Sequence, residues 1–422
     1  MNVFPGLFAI LANCLCVLGK VSFVKDQSMD MPFPPVIVKS DSGIPEGHLR
    51  PLGWQKRSDG KVTEEAKMLE PKQLHEKYLK LKKPVKFPKA LQDAPVLKSW
   101  AKDENLKEKY GKLNVTVVVK KERLTKGGRI MKFSKFLLDY MYEDWYMSNT
   151  VPSEMLEELP LPSCLRCGSL RDSLYETELW MSSGGTASLL HSHPDHNLHC
   201  VLFGRKDFIL IESKYRKHFD FKENYPNAGA GHSPLDMDMI NVFKHTNIGK
   251  TPWRWSTLRQ GDCILVPAGY LHQVRSFGRG ISYTILFAPT PQFEDQNCKK
   301  AKQPTKLSEV DFVWTYSNGQ RQLTNKKLDA GSTRALLLNL MKDDDKLYLS
   351  QFVHFYDAVM LPIKDRLANN KMFGEKAFDI LDQPNPKGYL TREEVTKLTP
   401  KQLGALADIF NQVHVRKLHD EL

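Results

Sequence analysis

One stretch limits most strongly what this chain can fold into. It is Ser188-Leu-Leu-His-Ser-His-Pro-Asp-His-Asn-Leu198, followed by His199-Cys-Val-Leu-Phe-Gly-Arg-Lys-Asp-Phe-Ile-Leu-Ile211. Leu189, His191 and His193 alternate with Leu190 and Ser192, so on an extended backbone both histidines face one way. A second strand is expected over Leu198–Phe203, turning at Gly204-Arg205 into a third over Lys206–Ile211. Further on, Gly261-Asp-Cys-Ile-Leu-Val-Pro-Ala-Gly-Tyr-Leu-His272 reads as turn, buried strand, turn and another histidine. Two imidazoles on one strand face and a third from a distant strand suit a metal such as zinc, copper, iron or nickel. The chain has 13 histidines, so spacing alone leaves open that several are surface or hydrogen-bonded residues.

The pattern resembles the JmjC/cupin-like family of iron- and 2-oxoglutarate-dependent oxygenases, especially its protein asparaginyl and lysyl hydroxylases. The family's ordered motif is met by Ser188, His191, Asn197, Leu198, Gly204 and Lys206. Its distal segment is met by Gly261, Asp262, Pro267, Gly269 and His272. Glu143-Asp144-Trp145 and Pro160-Leu161-Pro162 resemble its lead-in, and the likeness covers roughly residues 110–295. It implies a double-stranded β-helix. It also implies iron held by His191, His193 and His272, with Lys206, Ser188 and Asn197 binding 2-oxoglutarate. His193 stands where the family has a carboxylate. A register that makes Asp195 the carboxylate ligand restores that charge but moves Asn197 and Lys206 two places off the family spacing. Three readings follow: a protein hydroxylase with an altered triad, an inactive relative that binds clients as a scaffold, and a zinc site built on three histidines.

The 422 residues allow two or three domains with ample chain to bury a core. Residues 1–19 carry an apolar run, Leu7 to Leu18, too short to span a bilayer, and are expected to be a signal peptide. At the other end His419-Asp420-Glu421-Leu422 has the form of an ER-retention address. Together they place the protein in the ER lumen, with a retention receptor and a lumenal protein client as partners and no membrane span. In that oxidising compartment Cys164 and Cys167 are candidates for a small disulfide or for pairing with more distant cysteines. The odd count in the mature chain leaves one thiol, expected on the Cys200 or Cys263 strand. Asn114-Val-Thr116 is a glycosylation sequon, usable if its loop is exposed.

Residues 20–65 mix Pro, Ser, Asp and Gly and are expected to form a linker or arm. Residues 66–295 form the cupin-like domain with a basic helical lead-in, and 296–325 a second linker. Between 51 and 135 stand 23 Lys/Arg against 10 Asp/Glu, an excess that accounts for the net charge of +12. Acidic client segments suit this run better than nucleic acid, for which no role is expected. Residues 326–418 are expected to be an all-α, EF-hand-like domain. Counting back from Gly388, its loop keeps Asn385 and, as last ligand, Glu394, but has Gln383 and Lys387 at ligand positions; those two are poor calcium ligands, and no calcium is expected.

Overall fold

The computed structural model describes residues 31–38, 41–120, 128–221, 231–295, 298–300, 305–317, 320–324, 328–341, 344–360, 370–384 and 386–420. The strands begin with β1 (Thr63–Glu64), β2 (Val85–Phe87), β3 (Asn114–Val119), β4 (Arg129–Lys132), β5 (Trp145–Thr150) and β6 (Pro160–Leu161). They continue with β7 (Leu174–Ser182), β8 (Thr186–Ala187), β9 (His196–Ile211), β10 (Arg254–Leu258), β11 (Cys263–Val266) and β12 (Leu271–Phe287). The last are β13 (Thr305–Lys306), β14 (Trp314–Ser317), β15 (Gln320–Leu323), β16 (Lys346–Tyr348) and β17 (Tyr389–Thr391). The helices are α1 (Pro71–Leu74), α2 (Val96–Ser99), α3 (Asp103–Tyr110), α4 (Phe133–Asp139) and α5 (Gly168–Asp172). Nearer the C-terminus lie α6 (Ala330–Met341), α7 (Leu349–Met360), α8 (Asn370–Asp379), α9 (Arg392–Lys397) and α10 (Pro400–Asp420).

Eleven strands form one sheet in the order β1-β2-β11-β9-β12-β7-β5-β3-β4, with β10 on β9 and β8 on β12. Apart from the parallel β1–β2 pair, its ladders are antiparallel. This large mixed sheet is consistent with a cupin or jelly-roll fold. The spine is the β9–β12 ribbon, and here one expectation is corrected. Residues 198–203 and 206–211 are not a hairpin turning at Gly204-Arg205; they lie on one strand, β9. The register passes from Arg205↔Phe277 to Phe203↔Ile281, so Gly278, Arg279 and Gly280 are absorbed as an irregularity in β12. Gly204 sits at φ +82°, where a Cβ would come within 2.8 Å of the Arg279 carbonyl oxygen. The glycine therefore permits a close backbone approach rather than a chain reversal.

The basic lead-in is part of this domain. Leu74, Val85, Phe87, Val96 and Trp100 are each at most 2% exposed and share the main core with Leu198, Tyr283 and Phe287. Full burial of such side chains contributes roughly 1.5–3 kcal/mol apiece, which outweighs whatever the surrounding solvated lysines contribute. The described part of residues 20–65 is likewise not a free arm. Leu52 and Val62 are buried, β1 pairs with β2, and the Gln55 amide donates to the carbonyls of Gly47, Arg50 and Pro51. Nor is 296–325 a plain linker: β13 pairs with β6, and Leu307, Phe312 and Val313 are buried. Residues 1–19, expected to be a leader, lie outside the described residues.

The C-terminal region is mostly helical but not all-α. Within 326–418 it contains a short antiparallel pair, β16–β17, with Leu347 opposite Leu390, and β14 pairs antiparallel with β15 just before it. Its core of Leu336, Leu337, Phe352, Phe378 and Phe410 is continuous with Tyr175, Leu286 and Ala288 from the sheet. Among the described residues no helix is long and apolar enough to cross a membrane.

Candidate metal centre

His191 and His272 meet across a backbone bridge. The His191 N–H donates to the His272 carbonyl at 3.0 Å and the His272 N–H returns the bond at 2.8 Å. His193, two residues on, is anchored through its carbonyl, which accepts the Gly269 N–H at 2.7 Å. One ligand atom from each of His191, His193 and His272 lies within 4.8 Å of the others. The three side chains named from the sequence therefore converge, with His272 buried and the other two half-buried.

Their hydrogen bonds set the tautomers. Nδ1 of His191 lies 2.8 Å from the Leu189 carbonyl oxygen, and Nδ1 of His272 lies 3.1 Å from that of Tyr270. A carbonyl only accepts, so each Nδ1 carries the hydrogen and each Nε2 presents a lone pair. Burial, and then the neighbouring imidazoles, push His193 and His272 well below the usual histidine range. Neutral rings with inward lone pairs are what a divalent transition metal requires, so the donor set fits such an ion.

Asp195, the alternative carboxylate ligand, lies outside this cluster. Its Oδ2 accepts the Tyr175 hydroxyl at 2.8 Å, and the side chain is buried in the wall of the same cavity. Ser188, Asn197 and Lys206 line that cavity too, which encloses about 520 Å³. Ser188 Oγ accepts the Val274 N–H at 2.9 Å, keeping its own hydrogen available, and Asn197 Oδ1 is buried with no donor among the described residues. Lys206 is 4% exposed, with Nζ 5.9 Å from the centre of the Trp180 ring. No carboxylate pairs with it among the described residues, and burial alone lowers it to about 7.

Several cavity residues escaped the sequence reading. His232 stacks on His191 with ring centres 5.3 Å apart, and burial lowers it to about 3. His199, Thr284, Glu176, Glu178 and Trp180 line the same wall. The alternation of Glu176, Glu178 and Trp180 along β7 was a legible signal that one face of that strand is polar and inward. Tyr316 and Asn339, from the C-terminal region, close the far side, and nothing local in the sequence marks them.

The remaining assignments fall elsewhere. Asn114 is in a strand rather than a loop: it is half-buried opposite Lys132, and Thr116 Oγ1 lies 3.0 Å from the Tyr316 hydroxyl. Cys164 and Cys167 do not pair with each other. Cys167 bonds Cys298, Cys200 bonds Cys263 across β9 and β11, and among the described residues the free, buried thiol is Cys164. Cys200 and Cys263 are register partners whose Cα atoms are 4.1 Å apart, near the spacing of a non-hydrogen-bonded antiparallel pair. The expectation of a free thiol on one of those strands treated them apart, without the register that pairs them. Glu394 caps α9 by accepting the Thr391 N–H at 2.9 Å, and Lys387 Nζ lies 2.5 Å away. Lys387 first, then Thr391, hold its carboxyl down at about 2. Asn385, Glu421 and Leu422 lie outside the described residues, while His419 and Asp420 end α10.

A large mixed sheet, with His191 and His193 from the segment between β8 and β9 and His272 from the start of β12, is consistent with a cupin-type scaffold whose three histidines could hold a metal. Residues 71–293, more than half of the chain, match the cupin-like domain family, and the chain belongs to it. It is 27% identical over 124 residues to Jumonji C domain-containing protein 5 of Drosophila melanogaster, covering 28% of this chain and 30% of that one. Against lysine-specific demethylase JMJ31 of Arabidopsis thaliana it is 30% identical over 106 residues, covering 25% and 19% of the two chains. Against lysine-specific demethylase JMJ30 of the same plant it is 24% identical over 218 residues, covering 49% and 50%. The chain spans half or less of the length of these curated relatives.

Proposed function

We propose that this protein is an iron- and 2-oxoglutarate-dependent oxygenase, or a close derivative of one, that acts on protein side chains in the ER lumen. The observation that carries the reading is Lys206, a buried ammonium without an acidic partner among the described residues, in the same cavity as three convergent imidazoles. A buried lysine of this kind is costly unless an anion joins it. With dioxygen as the oxidant and 2-oxoglutarate as the electron-donating cosubstrate, bound iron would supply the oxygen chemistry, while the chain's own residues orient the ligands and keep water out. His191, His193 and His272 would hold the metal. Ser188 and Asn197 lie in the same cavity with a free hydroxyl hydrogen and an open amide oxygen.

A second reading is favoured by His193. Three neutral ligands leave a ferrous centre one charge more positive than two histidines and a carboxylate would. Turnover is therefore weak or absent in this reading, and the cavity binds a client without oxidising it. The C-terminal region is an EF-hand-like scaffold in either reading. The β16–β17 pair, Lys387 on Glu394, and Asp382 accepting the Lys387 and Gly388 N–H groups at 2.8 Å support a loop closed by its own bonds rather than by calcium.

The test compares wild type with His193→Asp and His272→Ala in the presence of iron and 2-oxoglutarate, without added client. Wild type is expected to bind about one equivalent of metal, which His272→Ala loses. Weak 2-oxoglutarate decarboxylation that rises in His193→Asp supports a centre inherited from an oxygenase. Vigorous wild-type turnover lost in His193→Asp rejects the inactive reading, and wild type that binds neither metal nor 2-oxoglutarate rejects the oxygenase reading.

A further inference from the structure

His199 is 6% exposed, lines the cavity beside Lys206, and belongs to none of the roles assigned above. Its Nδ1 lies 2.8 Å from Thr284 Oγ1, and its Nε2 is buried with no partner among the described residues. Thr284 in turn receives the Trp180 indole N–H at 3.2 Å. The indole can only donate, so the threonine oxygen accepts there. Its one hydrogen is then free for His199 Nδ1. The opposite arrangement, with Nδ1 donating, leaves the buried threonine hydrogen without an acceptor, which costs about 1–3 kcal/mol. The relay Trp180→Thr284→His199 thus places the imidazole hydrogen on Nε2, the nitrogen without a partner.

The surroundings say what that hydrogen is for. Trp180 lies near Lys206 on one side, and the Phe208 ring meets His199 edge-on with centres 5.4 Å apart on the other. Two buried donors, an ammonium and an Nε2–H, line a slot flanked by aromatic faces. Neither has an acceptor among the described residues. We propose that His199 Nε2–H and Lys206 Nζ together hold one carboxylate of a dicarboxylate, each taking one oxygen. This inference rests on the oxygenase reading and adds to it a binding residue and the reason for its tautomer. Charge-assisted bonds of this type are the strong ones, and two donors fix the carboxylate plane as one cannot.

The experiment loads the full chain with zinc, which is redox-silent, and titrates 2-oxoglutarate calorimetrically into wild type, His199→Phe, His199→Gln and Lys206→Met. His199→Phe is expected to bind on the order of 10- to 100-fold more weakly with zinc content unchanged. His199→Gln, which keeps an N–H donor, recovers most of the loss. Thr284→Val keeps the ring but breaks the relay. It is expected to shift the His199 imidazole nitrogen resonances in the zinc-loaded protein and to weaken binding by a smaller factor. Wild-type affinity in His199→Phe, with binding lost in Lys206→Met, overturns this inference and leaves the oxygenase reading standing. Failure of zinc-loaded wild type to bind 2-oxoglutarate overturns both. If His199→Phe does not fold, an unaltered imidazole signal and affinity in Thr284→Val rejects the relay by itself.

Discussion

At the scale of single residues, Lys206 is the group whose physics reaches furthest. Burial lowers it from 10.5 to about 7, whereas the unfolded chain holds that proton to about 10.4. Between those values the unfolded state binds more protons, so this residue makes unfolding free energy rise with pH across the window. Its cost to the empty fold is fully present below about 7. A bound carboxylate reverses the balance by keeping the ammonium charged. Affinity for 2-oxoglutarate is therefore expected to fall from about pH 7 to 9, by up to tenfold per unit, with proton uptake approaching one. Calorimetry of the zinc-loaded protein in buffers of different ionisation enthalpy measures both quantities. A flat affinity over that range means that Lys206 is not the anion partner. The neutral His193 and His272 stay out of this window because they titrate well below it. At this scale the sequence was most legible. The family resemblance carried by this stretch named His191, His193, Lys206 and His272, side chains that the fold brings into one cavity. It could not reveal His199, because a tautomer depends on Thr284, which is 85 residues away.

Among the elements, β9 and β12 organise the rest because each pairs with several neighbours along its length. Apolar runs on both sides of Gly204-Arg205 announced strands correctly, yet turn chemistry does not decide between a hairpin and a bulge. That choice is made by Gly278 and Gly280 on the partner strand, which local pattern cannot see. Cysteine pairing was illegible for a similar reason: Cys200 and Cys263 become neighbours only through the β9–β11 register. The C-terminal loop was read from Gly388 and Glu394 at their spacing, with Lys387 in place of an oxygen ligand. In α9 the Thr391 side chain accepts the Glu394 N–H, and Glu394 reaches back to the Thr391 N–H. This reciprocal cap leads to a further prediction. Thr391→Ala should lower stability by about 1 kcal/mol in denaturant unfolding, and millimolar calcium should not restore it. Full restoration by calcium would mean that the loop binds the ion after all.

For the whole molecule, the question is whether the C-terminal region is a passenger or part of the site. Tyr175 joins the helical core while its hydroxyl donates to Asp195 in the cavity wall. Tyr316 lines the cavity, and its hydroxyl lies 3.0 Å from Thr116 Oγ1 on β3 of the large sheet. Asn339, also in the wall, is positioned by the Trp314 indole N–H at 3.1 Å. Leu286 and Ala288, at the end of the central ribbon, pack against the same helices. A break between the two regions would therefore cut one core and open one cavity. The expected consequence is a single cooperative unfolding transition for the whole chain. Leu337 is fully buried in α6, and Leu337→Ala should cost about 2–5 kcal/mol. That loss should appear equally in a probe on the sheet and in one on the helices. Zinc at 100 times its dissociation constant should stabilise both probes by about 2.7 kcal/mol, because ligand binding to a cooperative unit is shared by all of it. Two transitions, with only the sheet responding to metal, would make the helical region a separate domain and its wall residues incidental to the site.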